Sequence, residues 1–161
     1  MPRRYIEKWS SSSGGPTPPQ LDPLTCLAFS IDGIYLASGN ANGVLVIASA
    51  ASGQRLHVVR AQSGVLSLVW APLQDYELWV GYADGRLVKL KVLSVSDDHR
   101  PHRAIALIYY TQNKISITGF FVHQYPLEQM AFDRPGEWLA TGGRTELKIW
   151  QLTRSPPQGD K

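Results

Sequence analysis

The sequence predicts an all-β fold of about three four-stranded antiparallel units, and three observations predict it. Only 18% of the 161 residues are charged, while 14 glycines and 11 prolines supply turns, a balance that favours many short strands. An aliphatic–aromatic–glycine segment recurs three times along the chain, and each recurrence is followed by a short turn and an alternating strand. With 43% hydrophobic residues the chain can bury a core, which excludes disorder throughout.

The elements follow in order. Residues 1–20 read as an N-terminal tail, in which 4–9 alternate as an outer strand does and the Ser/Gly/Pro-rich stretch 10–20 is a flexible linker. The first unit, 21–61, runs from Leu24 through the aromatic Phe29 to Ser38 and Gly39, continues in the strand Val44 to Ile47, and begins a fourth strand at His57 to Arg60. The second, 62–122, repeats this as Val65 through Trp70 to Gly81, then Arg86 to Leu90. The third, 123–152, has Leu127 through Phe132 to Thr141 and Gly142, then Leu147 to Trp150, and ends in a polar tail, 153–161. Asp32-Gly33 and Asp84-Gly85 are turn pairs that tolerate positive φ.

The spacing supports one register. Phe29 to Trp70 is 41 residues and Gly39 to Gly81 is 42, whereas Trp70 to Phe132 is 62, an excess of 21. The excess lies in an insertion, 94–122, holding two apolar, strand-like segments, Arg103 to Tyr110 and Lys114 to Val122. One of them is expected to be the second unit's outer strand and the other an added strand. Their apolar residues Ile105, Leu107, Tyr109, Tyr110, Phe120 and Phe121 either pack on the fold or form a partner surface. One such meander cannot cover both its faces alone, so neighbouring units must stack on it.

On these residues the chain resembles the WD40-repeat family, whose blades of roughly 40–45 residues carry four strands and a Gly-His…Trp-Asp signature. The resemblance covers about residues 20–152 and implies a partial β-propeller of about three blades. The signature is degenerate. Ala48-Ser49, Leu90-Lys91 and Trp150-Gln151 stand where Trp-Asp is expected, and Gln20, Ala61 and His123 stand at the histidine. The resemblance therefore implies the family's buried hydrogen-bonded group only in the third unit, from His123, Thr141 and Trp150, with its aspartate position occupied by Arg144. Ser38 and Asp84 are the repeat positions of the other units that retain part of the pattern.

Chemical signatures point away from catalysis. The sequence has no Gly-x-Ser-x-Gly, no Gly-x-Gly-x-x-Gly and no Gly-Lys pair to anchor a phosphate loop. Asp97, Asp98, His99 and His102 are zinc-ligand types, yet Pro101 and two arginines among them favour a solvated loop. Cys26, the single cysteine, lies among Leu24, Leu27 and Phe29 and reads as a small core residue. Strand alternation puts Lys89 and Lys91 on one face and Arg86 on the other, so they form no single patch. No cofactor or metal is expected.

The net charge of +3 gives little reason to expect nucleic acid, although the basic start at Arg3 and Arg4 leaves an acidic-surface binder as an alternative. No secretory signal follows those arginines, and the longest apolar run, Val44 to Ala51, is short of the about 20 residues of a membrane-spanning helix, so a cytoplasmic or nuclear protein is expected.

The family resemblance implies a non-catalytic protein–protein interaction scaffold. Propellers typically close with about 4–8 blades, and three leave two blade faces open. The chain is then a truncated propeller fragment, a homodimer completing a six-bladed ring, or a module docked on another protein.

Overall fold

The computed structural model describes residues 6, 8, 23–72, 76–92, 106–108 and 123–152, and all regular secondary structure among them is β-strand. The strands form three antiparallel meanders. Blade one is β1 (Leu24–Phe29), β2 (Tyr35–Asn40), β3 (Val44–Ser49) and β4 (Arg55–Arg60), hydrogen-bonded in that order. Blade two is β5 (Val65–Trp70), β6 (Glu77–Tyr82), β7 (Leu87–Val92) and β8 (Ala106–Ile108). Blade three has three strands among the described residues: β9 (Gln129–Phe132), β10 (Trp138–Gly142) and β11 (Leu147–Gln151).

Short side chains and glycines close the hairpins. In the β1–β2 turn, Asp32 Oδ1 accepts the Ser30 hydroxyl at 2.6 Å and the Ile34 amide at 3.0 Å, while Gly33 takes φ 73°. The hydrogen bonds from Ser30 and Tyr76 hold the Asp32 carboxyl below its ordinary pKa. In the β9–β10 turn, Asp133 Oδ1 accepts the Trp138 amide at 2.8 Å and Gly136 takes φ 73°. The β2–β3 turn is held by Asn40 Oδ1, which accepts the amides of Asn42 and Val44.

The insertion supplies an outer strand. Its first apolar segment contains β8, which pairs with β7 through Leu90↔Ile108, Lys91↔Leu107 and Val92↔Ala106. Leu107 is thus placed at the outer edge of blade two. The second apolar segment, with Phe120 and Phe121, lies outside the described residues, as do Ile105, Tyr109 and Tyr110. The proposed strand at 4–9 also lies outside them, apart from Ile6 and Lys8, neither of which is in a strand.

Each blade has two faces, here called leading (toward the preceding blade) and trailing (toward the following one). Register assigns them. On blade one, Ala28, Ala37 and Ile47 are cross-strand neighbours, as are Gly39 and Leu45, and this trailing face packs on blade two. Blade two answers with Trp70, Leu78, Leu90 and Val80, its leading face. The trailing side of blade two presents Trp79 and Leu87, which bury Leu139 and are packed by Phe132 and Trp150 from blade three. Trp79 and Phe132 meet edge to face with centroids 5.7 Å apart.

Two glycines set how closely the blades approach. A Cβ on Gly39 would fall 2.4 Å from Val65 Cγ1, and one on Gly81 would fall 2.3 Å from Ser67 Oγ and 2.9 Å from Leu127 Cδ2. The inner strands are also tied across each junction by polar side chains. Thr25 Oγ1 donates to the Val65 carbonyl, Ser67 Oγ to the Leu127 carbonyl at 2.8 Å, and Trp70 Nε1 to the Ala28 carbonyl at 3.1 Å. Gly39→Ala therefore must push a fully buried Val65 aside, and is expected to lower unfolding free energy by about 1–3 kcal/mol in urea titration.

Candidate functional site

Blades one and three each have a face against which no described blade packs, and both faces carry exposed apolar side chains, although Val46 and Ala48 on the blade-one face are buried. On the leading face of blade one, Leu27 and Phe29 on β1 are each 60% exposed, Val58 is exposed on β4 at the opposite edge of the sheet, and Ile31 and Ile34 are exposed at the β1–β2 turn. On the trailing face of blade three, Leu147 is 72% and Ile149 65% exposed, next to Ala131 and Ala140. Large aliphatic and aromatic side chains in a row on a sheet face are what bury well against a second sheet.

The buried polar residues of blade three form a connected network. Trp150 Nε1, which can only donate, gives its hydrogen to Thr141 Oγ1 at 2.9 Å, and His123 Nε2 lies 2.9 Å from the same hydroxyl. On the other side of the ring, His123 Nδ1 is 3.1 Å from Glu146 Oε2, an ion-pair distance without the alignment of a hydrogen bond. The Lys148 ammonium, 3.0 Å from Glu146 Oε1, is the main influence holding the Glu146 carboxyl below its usual pKa, followed after a small opposing burial effect by the charge of Lys148 and that of His123. His123 is buried, and its carbonyl lies where a Cβ on Gly85 would fall, so the network also fixes the seam with blade two.

The acid in this group is Glu146, not a residue at position 144. Glu146 directly precedes Leu147, at the position that Val44 and Arg86 hold before Leu45 and Leu87. Ser38 and Asp84 are not joined to such a network. Ser38 lies opposite Leu27 and Val46 on the open leading face of blade one, where Ala48 replaces the tryptophan. Asp84 stays within its turn, paired to Arg86 Nε at 2.6 Å, because Ala61 and Val80 occupy the histidine and threonine positions of its blade.

Nothing catalytic is assembled among the described residues. They hold no group of three or more His, Cys, Asp or Glu side chains able to bind a metal, and the cluster from Asp97 to His102 lies outside them. Burial pushes the Cys26 thiol up in pKa, away from the reactive thiolate. Lys89 is engaged by Glu77 at 3.3 Å and lies 5.8 Å from the Trp79 ring centroid. No helix among the described residues is long and apolar enough to cross a membrane.

With this geometry in hand, comparison places the fold. The family described as WD domain, G-beta repeat matches residues 18–48, which contain β1, β2 and most of β3. No curated protein matches. Among solved structures, a chain of a mitotic checkpoint complex aligns at 22% identity and TM-score 0.58, over 82% of this chain and 35% of that one. The β-propeller domain of Cps50 (Swd1) from Myceliophteria thermophila aligns at 19% identity and TM-score 0.56, over 91% of this chain and 45% of that one. The computationally designed protein Ika8 aligns at 21% identity and TM-score 0.51, over 80% and 33%. The chain thus spans between a third and a half of the structures it matches. Residues 18–48 match a WD40 repeat, and the three sheets have the fold of β-propeller blades. Folds of this kind generally mediate protein–protein interaction and are generally not enzymes.

Two predictions follow from the network. Thr141→Val leaves the Trp150 and His123 nitrogens without their shared partner and is expected to cost about 1–3 kcal/mol in chemical denaturation, whereas Thr141→Ser retains most of the stability. Glu146 has its carboxyl pKa lowered by folding, so its contribution is present at neutral pH and disappears as the pH falls through and below the usual carboxylate range. Glu146→Gln is expected to lower the melting temperature at neutral pH and to leave it unchanged in acid.

Proposed function

We propose that the chain is a non-catalytic protein-interaction scaffold, and that its working surfaces are the two open blade faces. One observation carries this reading: apolar side chains of the kind that are buried at the two internal junctions stand exposed at both ends, led by Leu27 and Phe29 on one and Leu147 and Ile149 on the other. A protein surface presenting a complementary sheet covers them, and a second copy of the chain, completing six blades, is one such surface. The repeat identity of the fold supports the same class of work, since WD40 propellers generally act by binding proteins.

The test is in-cell photo-crosslinking from a reactive residue placed singly at 29, at 147 or, as a control, at the exposed Gln54 on the connection before β4. Protein adducts are expected from 29 and 147 well above those from 54. Adducts equally sparse at all three positions would contradict the proposal.

A further inference from the structure

We infer that the partner of each open face is the opposite face of a second copy of this chain, the trailing face of blade three in one copy receiving the leading face of blade one in the other. The inference rests on the reading of the open faces as binding surfaces and names their occupant.

The open trailing face belongs to blade three. Its cross-strand neighbours are Ala131, Ala140 and Ile149, followed by Gly142 and Leu147. At the same register positions of blade one stand Ala28, Ala37 and Ile47, followed by Gly39 and Leu45. The five residue types are identical. On blade one this surface is covered by blade two, and Ala37, Leu45 and Ile47 are wholly buried. On blade three the same surface is bare.

Gly142 makes the point sterically. Gly39 has no room for a Cβ because Val65 of the next blade presses on it, and Gly81 has none because of Ser67 and of Leu127 of the next blade. A Cβ on Gly142 would meet nothing closer than 3.9 Å, and the residue does not use a positive φ. A glycine inside a strand costs about 0.5–1 kcal/mol relative to alanine. Among the described residues of a single copy nothing requires it; a blade docked on this face does.

The open leading face supplies that blade. Blade two enters the blade-one surface with Leu68, Trp70, Leu78, Val80, Val88 and Leu90. The same positions of blade one hold Leu27, Phe29, Leu36, Ser38, Val46 and Ala48: again apolar apart from one hydroxyl, and somewhat smaller. Polar groups follow the pattern too. Gln129 stands where Ser67 donates across the seam, and Leu24 stands where Leu127 accepts. Blade three therefore carries a socket and blade one a plug that fits it. In the single copy Leu27 and Phe29 of the plug and Leu147 and Ile149 of the socket stand exposed, whereas Val46 and Ala48 of the plug are buried. Two copies joined head to tail by two equal junctions make a ring of six blades with neither face left over, and six lies within the range at which propellers close.

The experiment uses the purified full chain at micromolar concentration, with mass read by sedimentation velocity or light scattering. The expected mass is twice 17.9 kDa. Gly142→Val fills empty space in the single copy and blocks only the socket; Phe29→Asp alters an exposed residue and blocks only the plug. Each variant alone is expected to be monomeric. An equimolar mixture is expected to form a one-to-one dimer, because the intact socket of one still accepts the intact plug of the other. A folded, monomeric wild-type chain overturns the inference, as does a dimer that neither variant disturbs. A dimer lost in both variants but not recovered by mixing also overturns it, since that indicates like faces in contact. If the wild type is monomeric while positions 29 and 147 crosslink to other proteins, this inference fails and the scaffold reading stands. If the wild type is monomeric and those positions give no adducts, both fail.

Discussion

A hydrogen-bonded sheet satisfies its backbone within its own plane, but both of its faces remain to be covered. That constraint organises this chain. Every blade has two apolar faces, and the internal junctions solve the problem by setting a surface of Ala, Gly and aliphatic residues against a surface of larger aromatic and aliphatic ones. Gly39 and Gly81 matter out of proportion to their size because they set the distance at which these surfaces meet. The side-chain hydrogen bonds from Thr25, Ser67 and Trp70 to carbonyls across the seams then fix rotation and register at that distance.

The two junctions use different chemistry to the same end. Between blades one and two, Val80 and Leu90 stand at positions that blade three gives to Thr141 and Trp150, so that the centre of the seam is apolar. Blade three has Lys148 where blade two has Val88, and so offers less apolar surface. Its compensation is the chain of contacts from Trp150 through Thr141 and His123 to Glu146 and Lys148, which orders the segment before β9 and the turn between β10 and β11 together. A fully connected buried polar group of this kind is rigid, and partial loss is costly because each remaining member is left in an environment without water.

Much of the fold was legible in the sequence, for a definite reason. Phe29, Trp70 and Phe132, and Gly39, Gly81 and Gly142, recur at positions fixed by the pleat, so strand order and turn placement could be read directly from spacing. What the spacing could not supply was the choice between two apolar segments for the outer strand of blade two, because both have strand periodicity; pairing with β7 selects the one containing Ala106 to Ile108. Nor could it supply Glu146, which stands directly before Leu147 and not at the aligned position 144. The open faces were legible only as a count of blades. That they match each other appears once cross-strand register shows which of Leu27, Ala28, Ile149 and Trp150 share a side.

Face coverage, more than hydrogen bonding within each sheet, is therefore what distinguishes the three blades in a single copy. Amide hydrogen exchange, followed strand by strand in the wild type and in Gly142→Val, tests this most directly. With the proposed docking of two copies, β1, β5 and β9 of the wild type should exchange with comparable slowness. In the variant, β5 of blade two should remain slowest while β1 and β9, each in a blade with one bare face, exchange markedly faster. Indistinguishable exchange patterns in the two proteins would contradict the account.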